Sequence, residues 1–480
     1  MGALELYFAI LILYFTLGTI LALLSRRYGV KSSRDYFVGN YRLSGFLSAM
    51  TYAATTYSAF MMIGLVGFVY ATGIGAFLFE IAYLVSTIVL LKIFAPIVWN
   101  MARQSRWISP AEMLGDIYGS KVLSIAISAT YLVALIPYAT AQLVGLGRLF
   151  EGLGLEYNVG VAFGSIVSLA WIVLAGIWSV AVTDAYQGLW MITAASVFAA
   201  WIISALIPSL GLSLTGAIES LAEEGSLGIT NFWSPNVFLA FTIPWIFFAI
   251  TNPQVVQRIF MPKDPKALKD MVKYFAIFGF TYTVLVTIIG LLAKSLTLAG
   301  ALPDLTLKRD LVTPTLIKMT NPALGSAVFV SIVAAAISTL DSIVLTLSSS
   351  LYRDIIGFFA KIKEELRLTY FTTLILIVLV TLVASIRPGF VIELSVLSSV
   401  ILLPLAPITL MAWTIPNRVY GKHRIALISL LAGTIIGLYA ALIVGPKAAF
   451  TMTILGAPFS LWILAISASI LIVGLKVRNV

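Results

Sequence analysis

Residues 333–342 read VAAAISTLDS. Coiled as a helix, Ala335, Ser338, Thr339 and Ser342 fall at i, i+3, i+4 and i+7 and share one stripe, with Asp341 on its border. A small hard cation takes oxygen ligands, so two hydroxyls and a backbone carbonyl facing a second helix could hold one. The same small polar residues also pack helices together in a bilayer, and the stretch alone does not choose between these readings. Four further ionisable side chains lie in apolar surroundings: Glu80, Lys92, Asp184 and Glu393. Inside a membrane such groups are costly and mark function by default. Lys92 lies toward one end of its segment, where it can snorkel to water. Glu80 and Glu393 lie near segment ends, where solvation and burial are both open. Asp184, three residues into a segment that starts at 181, and Asp341, in the middle of its segment, are the hardest to assign to water.

The elements that carry these residues are membrane spans. The chain of 480 residues is 60% hydrophobic and only 10% charged, against about 25% charged in soluble domains. Thirteen apolar stretches are long enough to cross a bilayer. They run over 4–24, 44–72, 75–100, 122–148, 157–177, 181–208, 236–260, 270–297, 323–352, 369–386, 390–415, 424–444 and 450–474. The first follows no basic leader and exceeds a signal-peptide core, so it reads as a retained span. This predicts an all-α polytopic membrane protein in contact with the lipid bilayer.

Most of the 30 lysines and arginines lie after odd-numbered spans. They include Arg26, Arg27, Lys31, Arg34 and Arg42, then Arg103, Arg106 and Lys121. Arg258, Lys263, Lys266, Lys269 and Lys273 follow, then Arg353, Lys361, Lys363 and Arg367, then Arg418, Lys422, Arg424, Lys476 and Arg478. Arg309, Lys318 and Lys447 are among the few on the other side. The positive-inside rule places the N-terminus outside and the C-terminus in the cytoplasm. The net charge of +10 is dispersed through short loops, which argues against nucleic acid as a partner. Two outer loops are long, 209–235 and 298–322. The first, SLTGAIESLAEEGSLGITNFW, has the spacing of an amphipathic surface helix. The second has room for a short external helix or lid.

Spans 2–6 and 7–11 form two sets of five, and an odd number inverts the second set. The organisation expected is therefore a peripheral first span and inner loop (1–43), a first repeat (44–208), an outer loop (209–235), an inverted second repeat (236–415) and two peripheral spans (416–480). The stretches that open the repeats both look interrupted. Residues 47–73 are rich in Ala, Ser, Thr and Gly. Residues 241–258 hold Pro244 and Pro253, and proline frees a carbonyl one turn back. Interrupted helices at matching positions of two halves point to a transporter's midplane site.

Other chemistries find no support. His423, between Lys422 and Arg424, reads as solvated. No metal-ligand cluster, nucleophile–base pair or phosphate loop is present. The glycines of GLGRLF lack the strand context of a nucleotide fingerprint. An embedded enzyme would have only the two aspartates for a catalytic pair. There are no cysteines, hence no thiol chemistry.

At five passages the sequence resembles the sodium/solute symporter family, in its proline- and pantothenate-type branch. They are DYFVGNYRLSGFLSAMTYAATTYSAFMMIGLVGFVYATG (35–73), WISPAEMLGDIYGS (107–120), TDAYQG (183–188), NPQVVQRIF (252–260) and AAAISTLDSIVLTLSSSLYRDI (334–355). The resemblance implies two inverted five-helix repeats whose first helices unwind at midplane. It implies sodium as the coupling ion, bound by the carbonyls of Ala54, Tyr57 and Ala335 and the hydroxyls of Ser338 and Thr339. A second ion position, for sodium or a proton, would map to Asp184, Ser338, Asp341 and Ser342. Asp341 stands where such members have serine, so either the two carboxylates hold sodium more strongly or one stays protonated. The solute would meet Ser58, Ala59, Trp245, Ala249 and Pro253. Ala59 and Ala249 replace a glycine and a tyrosine of the proline branch.

The expectation is sodium-coupled symport of a small, carboxylate-bearing solute such as proline or pantothenate, at the plasma membrane, by a monomer or weak oligomer. The competing readings are a proton-coupled transporter of the same fold and a solute-binding sensor that does not transport.

Overall fold

The computed structural model describes residues 3–25, 32–174, 176–359, 366–445 and 451–476. Arg26, Arg27, Lys31, Lys361, Lys363, Lys447 and Arg478 lie outside the described residues. The spans begin with α1 (Ala3–Ser25), the half-helices α2 (Gly45–Thr56) and α3 (Val66–Thr72), and α4 (Gly75–Ser105). A short α5 (Pro110–Tyr118) precedes α6 (Lys121–Gly152), α7 (Tyr157–Leu174) and α8 (Ile177–Trp201). Then follow α9 (Pro235–Ile246) and α10 (Pro253–Phe260), α11 (Pro265–Leu298), α12 (Pro322–Ser350) and α13 (Leu366–Ser385). The chain closes with α14 (Val391–Leu402), α15 (Leu405–Thr414), α16 (His423–Ile443) and α17 (Phe459–Lys476).

Among the described residues, nine helices are long and apolar enough to cross a membrane. Two bent pairs, α2 with the helix beyond its break (48°) and α14 with α15 (53°), each make one more span. The shorter apolar helices 157–172 and 371–385 occupy the two remaining stretches. Several boundaries differ from expectation: α4 runs on to Ser105 rather than 100, and α11 starts at Pro265 rather than 270. The α8 helix starts at Ile177, after Gly176 in an extended conformation, not at 181. Asp184 therefore lies two turns deep and is buried, not at a solvated cap. Residues 453–458 form a two-stranded hairpin before α17, because Gly456 takes a φ of +77° that turns the chain. The amphipathic helix of the long loop is present as Leu214–Glu224, capped by Ser213 and Gly225.

Side-chain oxygens start the helices that matter for the site. Ser44 accepts the Leu47 N–H at the start of α2, Asp264 the Ala267 N–H of α11, and Asn321 the Leu324 N–H of α12. Proline opens α9, α10, α11 and α12, where its missing N–H costs nothing. The α12 helix is the innermost span: every side chain from Val328 to Ser350 is buried. On its other flank α2 meets α11 closely enough that glycine is required. A Cβ at Gly45 would sit 2.5 Å from the Asp270 Cβ, and one at Gly279 would sit 2.2 Å from the Tyr57 hydroxyl. The Tyr57 ring stacks on Phe275 (5.8 Å, 18°), which fixes the end of α2.

Candidate functional site

The site is built on a helix that stops in mid-bilayer. The backbone of Tyr57 (φ −90°, ψ 91°) leaves the α-helix, and a π-helical turn over Phe60–Leu65 resumes it. The stop strips carbonyls of their intrahelical partners, and each finds a side chain from another span. The Ala54 carbonyl is 3.1 Å from the Ser338 hydroxyl and 3.0 Å from the Thr339 hydroxyl. Thr339 also lies 3.4 Å from the Thr55 carbonyl, and Ser338 3.2 Å from the Ala335 carbonyl. The Thr56 carbonyl accepts from Tyr138 of α6 at 3.3 Å. Thus Ala54, Ala335, Ser338 and Thr339 converge, as expected, and Thr55 joins them. Tyr57 is the residue at which the helix ends; the hydroxyls reach the carbonyls of Ala54 and Thr55. A hydroxyl rotates freely and can turn a lone pair where it now points a hydrogen. Two carbonyls of α2, one of α12 and two hydroxyls can therefore change from mutual hydrogen bonding to enclosing a cation.

A second polar cluster adjoins the first and shares Thr55 with it. The Thr55 and Ser342 hydroxyls are 3.0 Å apart. Arg258 donates through Nη2 to Ser342 Oγ at 2.8 Å, which leaves either hydroxyl free to donate within the Thr55–Ser342 pair. Asp184 accepts from Thr51 of α2 at 2.6 Å. Asp341 accepts a hydrogen bond from Ser168 of α7. Asp184 of α8 acts on Asp341 of α12, and Ser342 stands beside them, the set that the family resemblance implied. Arg258 is a correction. It is fully buried on α10 and its charge acts on Asp184, so it is no loop charge. The sequence did carry a signal: Gln254, Gln257 and Arg258, at i, i+3 and i+4, put three polar heads on one face of an otherwise apolar turn. Thr51, Thr55 and Ser168 were missed because hydroxyls without a known partner look like ordinary packing.

The residues expected to meet a solute lie around the breaks of the two opened helices. The α9–α10 segment breaks twice, at Phe247 and at Asn252, leaving one helical turn, Phe248–Thr251, between. Trp245 packs its ring at 5.2–6.0 Å against Phe60, Phe79, Tyr83 and Phe248, which joins this segment to the break in α2. Ser58 Oγ accepts the Phe60 N–H at 3.1 Å, and Gln142 accepts the Ala59 N–H at 3.3 Å. Ser58, Ala59, Trp245, Ala249 and Pro253 are all buried. Glu80 is also buried (1% exposed) and faces Trp245. That excludes its solvated reading. Among the described residues neither Glu80 Oε2 nor Trp245 Nε1 completes a hydrogen bond. Glu393 is likewise not solvated: it pairs with Arg309 at 2.9 Å in a buried contact.

The sodium:solute symporter family model matches residues 36–413, which spans both broken helices, both polar clusters and α12. The chain belongs to the sodium:solute symporter family. It is 26% identical over 374 residues to a sodium/pantothenate symporter of Haemophilus influenzae, covering 72% of each chain. It is 27% identical over 332 residues to the sodium/pantothenate symporter of Escherichia coli, covering 67% of this chain and 66% of that one. It is 22% identical over 376 residues to sodium/proline symporter 2 of Staphylococcus saprophyticus, covering 75% and 69%. Among solved structures, a substrate-bound, outward-open sodium-coupled sialic acid symporter superposes with a TM-score of 0.78 at 17% identity, covering 98% of both chains. A nucleobase-cation-symport-1 family transporter superposes at 0.56. These likenesses show the fold. As a member of the sodium:solute symporter family the protein is a multi-pass membrane transporter with sodium as its coupling ion, and not an enzyme.

Proposed function

We propose that this symporter binds its coupling sodium between the carbonyls of Ala54, Tyr57 and Ala335 and the hydroxyls of Ser338 and Thr339. Ion binding then prepares a solute site at Ser58, Ala59, Trp245, Ala249 and Pro253. The convergence of α2 carbonyls and α12 hydroxyls across a helix break carries this reading. Sodium entering there replaces the hydrogen bonds of Ser338 and Thr339 to the α2 backbone with ion–oxygen contacts, clamping α2 against α12. Because Ser58 and Ala59 follow the same break, the clamp holds them against Gln142 and Phe60. When α2 and α12 separate toward the cytoplasm, the oxygen shell opens and the ion leaves. The ion gradient drives the cycle, each inward charge gaining about 2.3 kcal/mol per 100 mV.

The Asp184–Asp341–Ser342 cluster is the second coupling position. With both carboxylates ionised and Arg258 charged it holds one excess negative charge, which one monovalent cation, sodium or a proton, neutralises. Glu80 narrows the solute class. A buried carboxylate beside Trp245, with Oε2 unbonded among the described residues, suits a solute that offers a donor, an ammonium or a hydroxyl, as well as a carboxylate. Proline and pantothenate both meet that description. The Lys/Arg-rich face is cytoplasmic, with the N-terminus outside and the protein in the plasma membrane. Both clusters lie within one chain, so a monomer suffices. The test is uptake of radiolabelled proline and pantothenate into proteoliposomes with an inward sodium gradient, an inward proton gradient, or neither. Sodium-driven accumulation supports the reading. Accumulation that follows protons alone, or binding without accumulation, overturns it.

A further inference from the structure

Lys92 has no part in transport as described above, and its position is unusual. It lies in the inner half of the span expected over 75–100, whose helix α4 runs on to Ser105, and is exposed at the protein surface, where apolar neighbours such as Ile93 and Ile97 are exposed too. A lipid-facing lysine within a span is costly unless it snorkels or its charge is met. Beside it a groove of about 580 Å³ opens between α4 and α11. Its walls are apolar, with Ile88, Leu91, Val272 and Ile277, and its rim holds Lys92, Lys269 and Lys273. The two helices run antiparallel and are tied at one end, where Trp99 Nε1 donates to the Pro262 carbonyl at 2.7 Å. Counting 1.5 Å per residue from Pro265 puts Lys269 about 6 Å and Lys273 about 12 Å along α11. Seven residues before Trp99, which is tied to Pro262, Lys92 lies level with the turn of α11 between Lys269 and Lys273.

None of the three lysines forms an ion pair among the described residues. The acids nearest in sequence are turned elsewhere. Asp264 caps α11, and Asp270 packs on Gly45. Lys273 lies over the Tyr274 ring and lines the groove. Three positive charges thus border an apolar slot on the basic side of the membrane, where anionic headgroups supply the complementary charge. We propose that the groove is a binding site for an anionic phospholipid. Its phosphate would sit among Lys92, Lys269 and Lys273, with an acyl chain along Ile88, Leu91, Val272 and Ile277.

The test is native mass spectrometry of the full-length protein in neutral detergent, titrated separately with phosphatidylglycerol and phosphatidylcholine. One phosphatidylglycerol should be retained preferentially. Each lysine accounts for about five-fold in affinity, so K92A/K269A/K273A should weaken retention about one hundred-fold. The arginine triple variant should keep it, and K121A/R418A/K476A, an equal charge loss elsewhere on the basic side, should leave it intact. If the triple alanine variant is not monodisperse, K92A alone, expected to lose about five-fold, decides. Equal retention of the two lipids, undiminished retention in K92A/K269A/K273A, or equal loss in the control variant overturns the proposal.

Discussion

Thr339→Ala tests the sodium site at the atom where two spans meet. The Thr339 hydroxyl reaches the carbonyls of Ala54 at 3.0 Å and Thr55 at 3.4 Å, and among the described residues no other side chain makes both contacts. With the ion bound, alanine removes one of the oxygens that face the charge. Interactions of a polar group with a charge contribute about 1.5–3 kcal/mol. The sodium concentration for half-maximal uptake should therefore rise about 10- to 150-fold. The fold should tolerate the change, because Ser338 still donates to the Ala54 carbonyl and one neutral hydrogen bond contributes only about 1 kcal/mol. Thr339→Ser keeps the oxygen and should stay near wild type. The assay is initial uptake into proteoliposomes against external sodium at saturating solute, with thermal unfolding in detergent as the stability control. A half-saturating sodium level within about two-fold of wild type, in a folded Thr339→Ala protein, would refute the reasoning.

Further outcomes follow from the same geometry. Arg258→Ala removes the buried cation whose charge acts on Asp184 and its hydrogen bond to Ser342, a charged contact contributing about 1.5–3 kcal/mol; the thermal midpoint should fall, and Arg258→Ala/Asp184→Asn should recover part of the loss. Glu80→Gln should raise the KM for solute about ten-fold or more, the scale of a lost charge-assisted contact, while the sodium dependence stays in place. Equal shifts in both parameters would place Glu80 in the ion path instead. Asp310, in the loop before α12, accepts the Val391 N–H at 3.1 Å, and burial pushes its carboxyl up to about 6 despite the adjacent Arg309. A raised carboxyl favours the folded state below its unfolded value, and that contribution is lost as pH rises through about 6. Asp310→Asn keeps the acceptor without the charge, so its thermal midpoint should gain on wild type between pH 5 and pH 8. Parallel pH profiles would contradict the assignment.

The parts of this architecture that depend on length and composition were legible in the sequence. Apolar stretches suffice to draw the spans, of which nine stand as long helices and two as bent pairs among the described residues, and an Ala/Ser/Thr run followed by glycines marks a helix ready to open. The Ala335–Ser338–Thr339 stripe was legible because helical periodicity alone puts its oxygens on one face. What it faces is a tertiary fact. Ala54 is some 280 residues away, and its role comes from where α2 breaks. Depth was the weakest inference. Asp184 was read near a span end because the start of α8 was set four residues late. Arg258 was counted with the loop charges because it follows an apolar stretch and precedes a lysine-rich loop. Glu80 and Glu393 show the same difficulty: hydropathy gives a residue's height in the bilayer, not whether it faces water, lipid or another helix. Glu393 is paired by Arg309, whose carbonyl lies against Gly67, and no periodicity joins those three.

The most direct measurement of the central claim is a structure of the protein prepared in sodium and again in a sodium-free buffer, at a resolution that separates ions from water. The account predicts a cation enclosed by the carbonyls of Ala54, Tyr57 and Ala335 and the hydroxyls of Ser338 and Thr339 in sodium only, with those hydroxyls withdrawn from the hydrogen bonds they otherwise make to α2. Density for sodium elsewhere, with Ser338 and Thr339 still bonded to the Ala54 carbonyl, would contradict it.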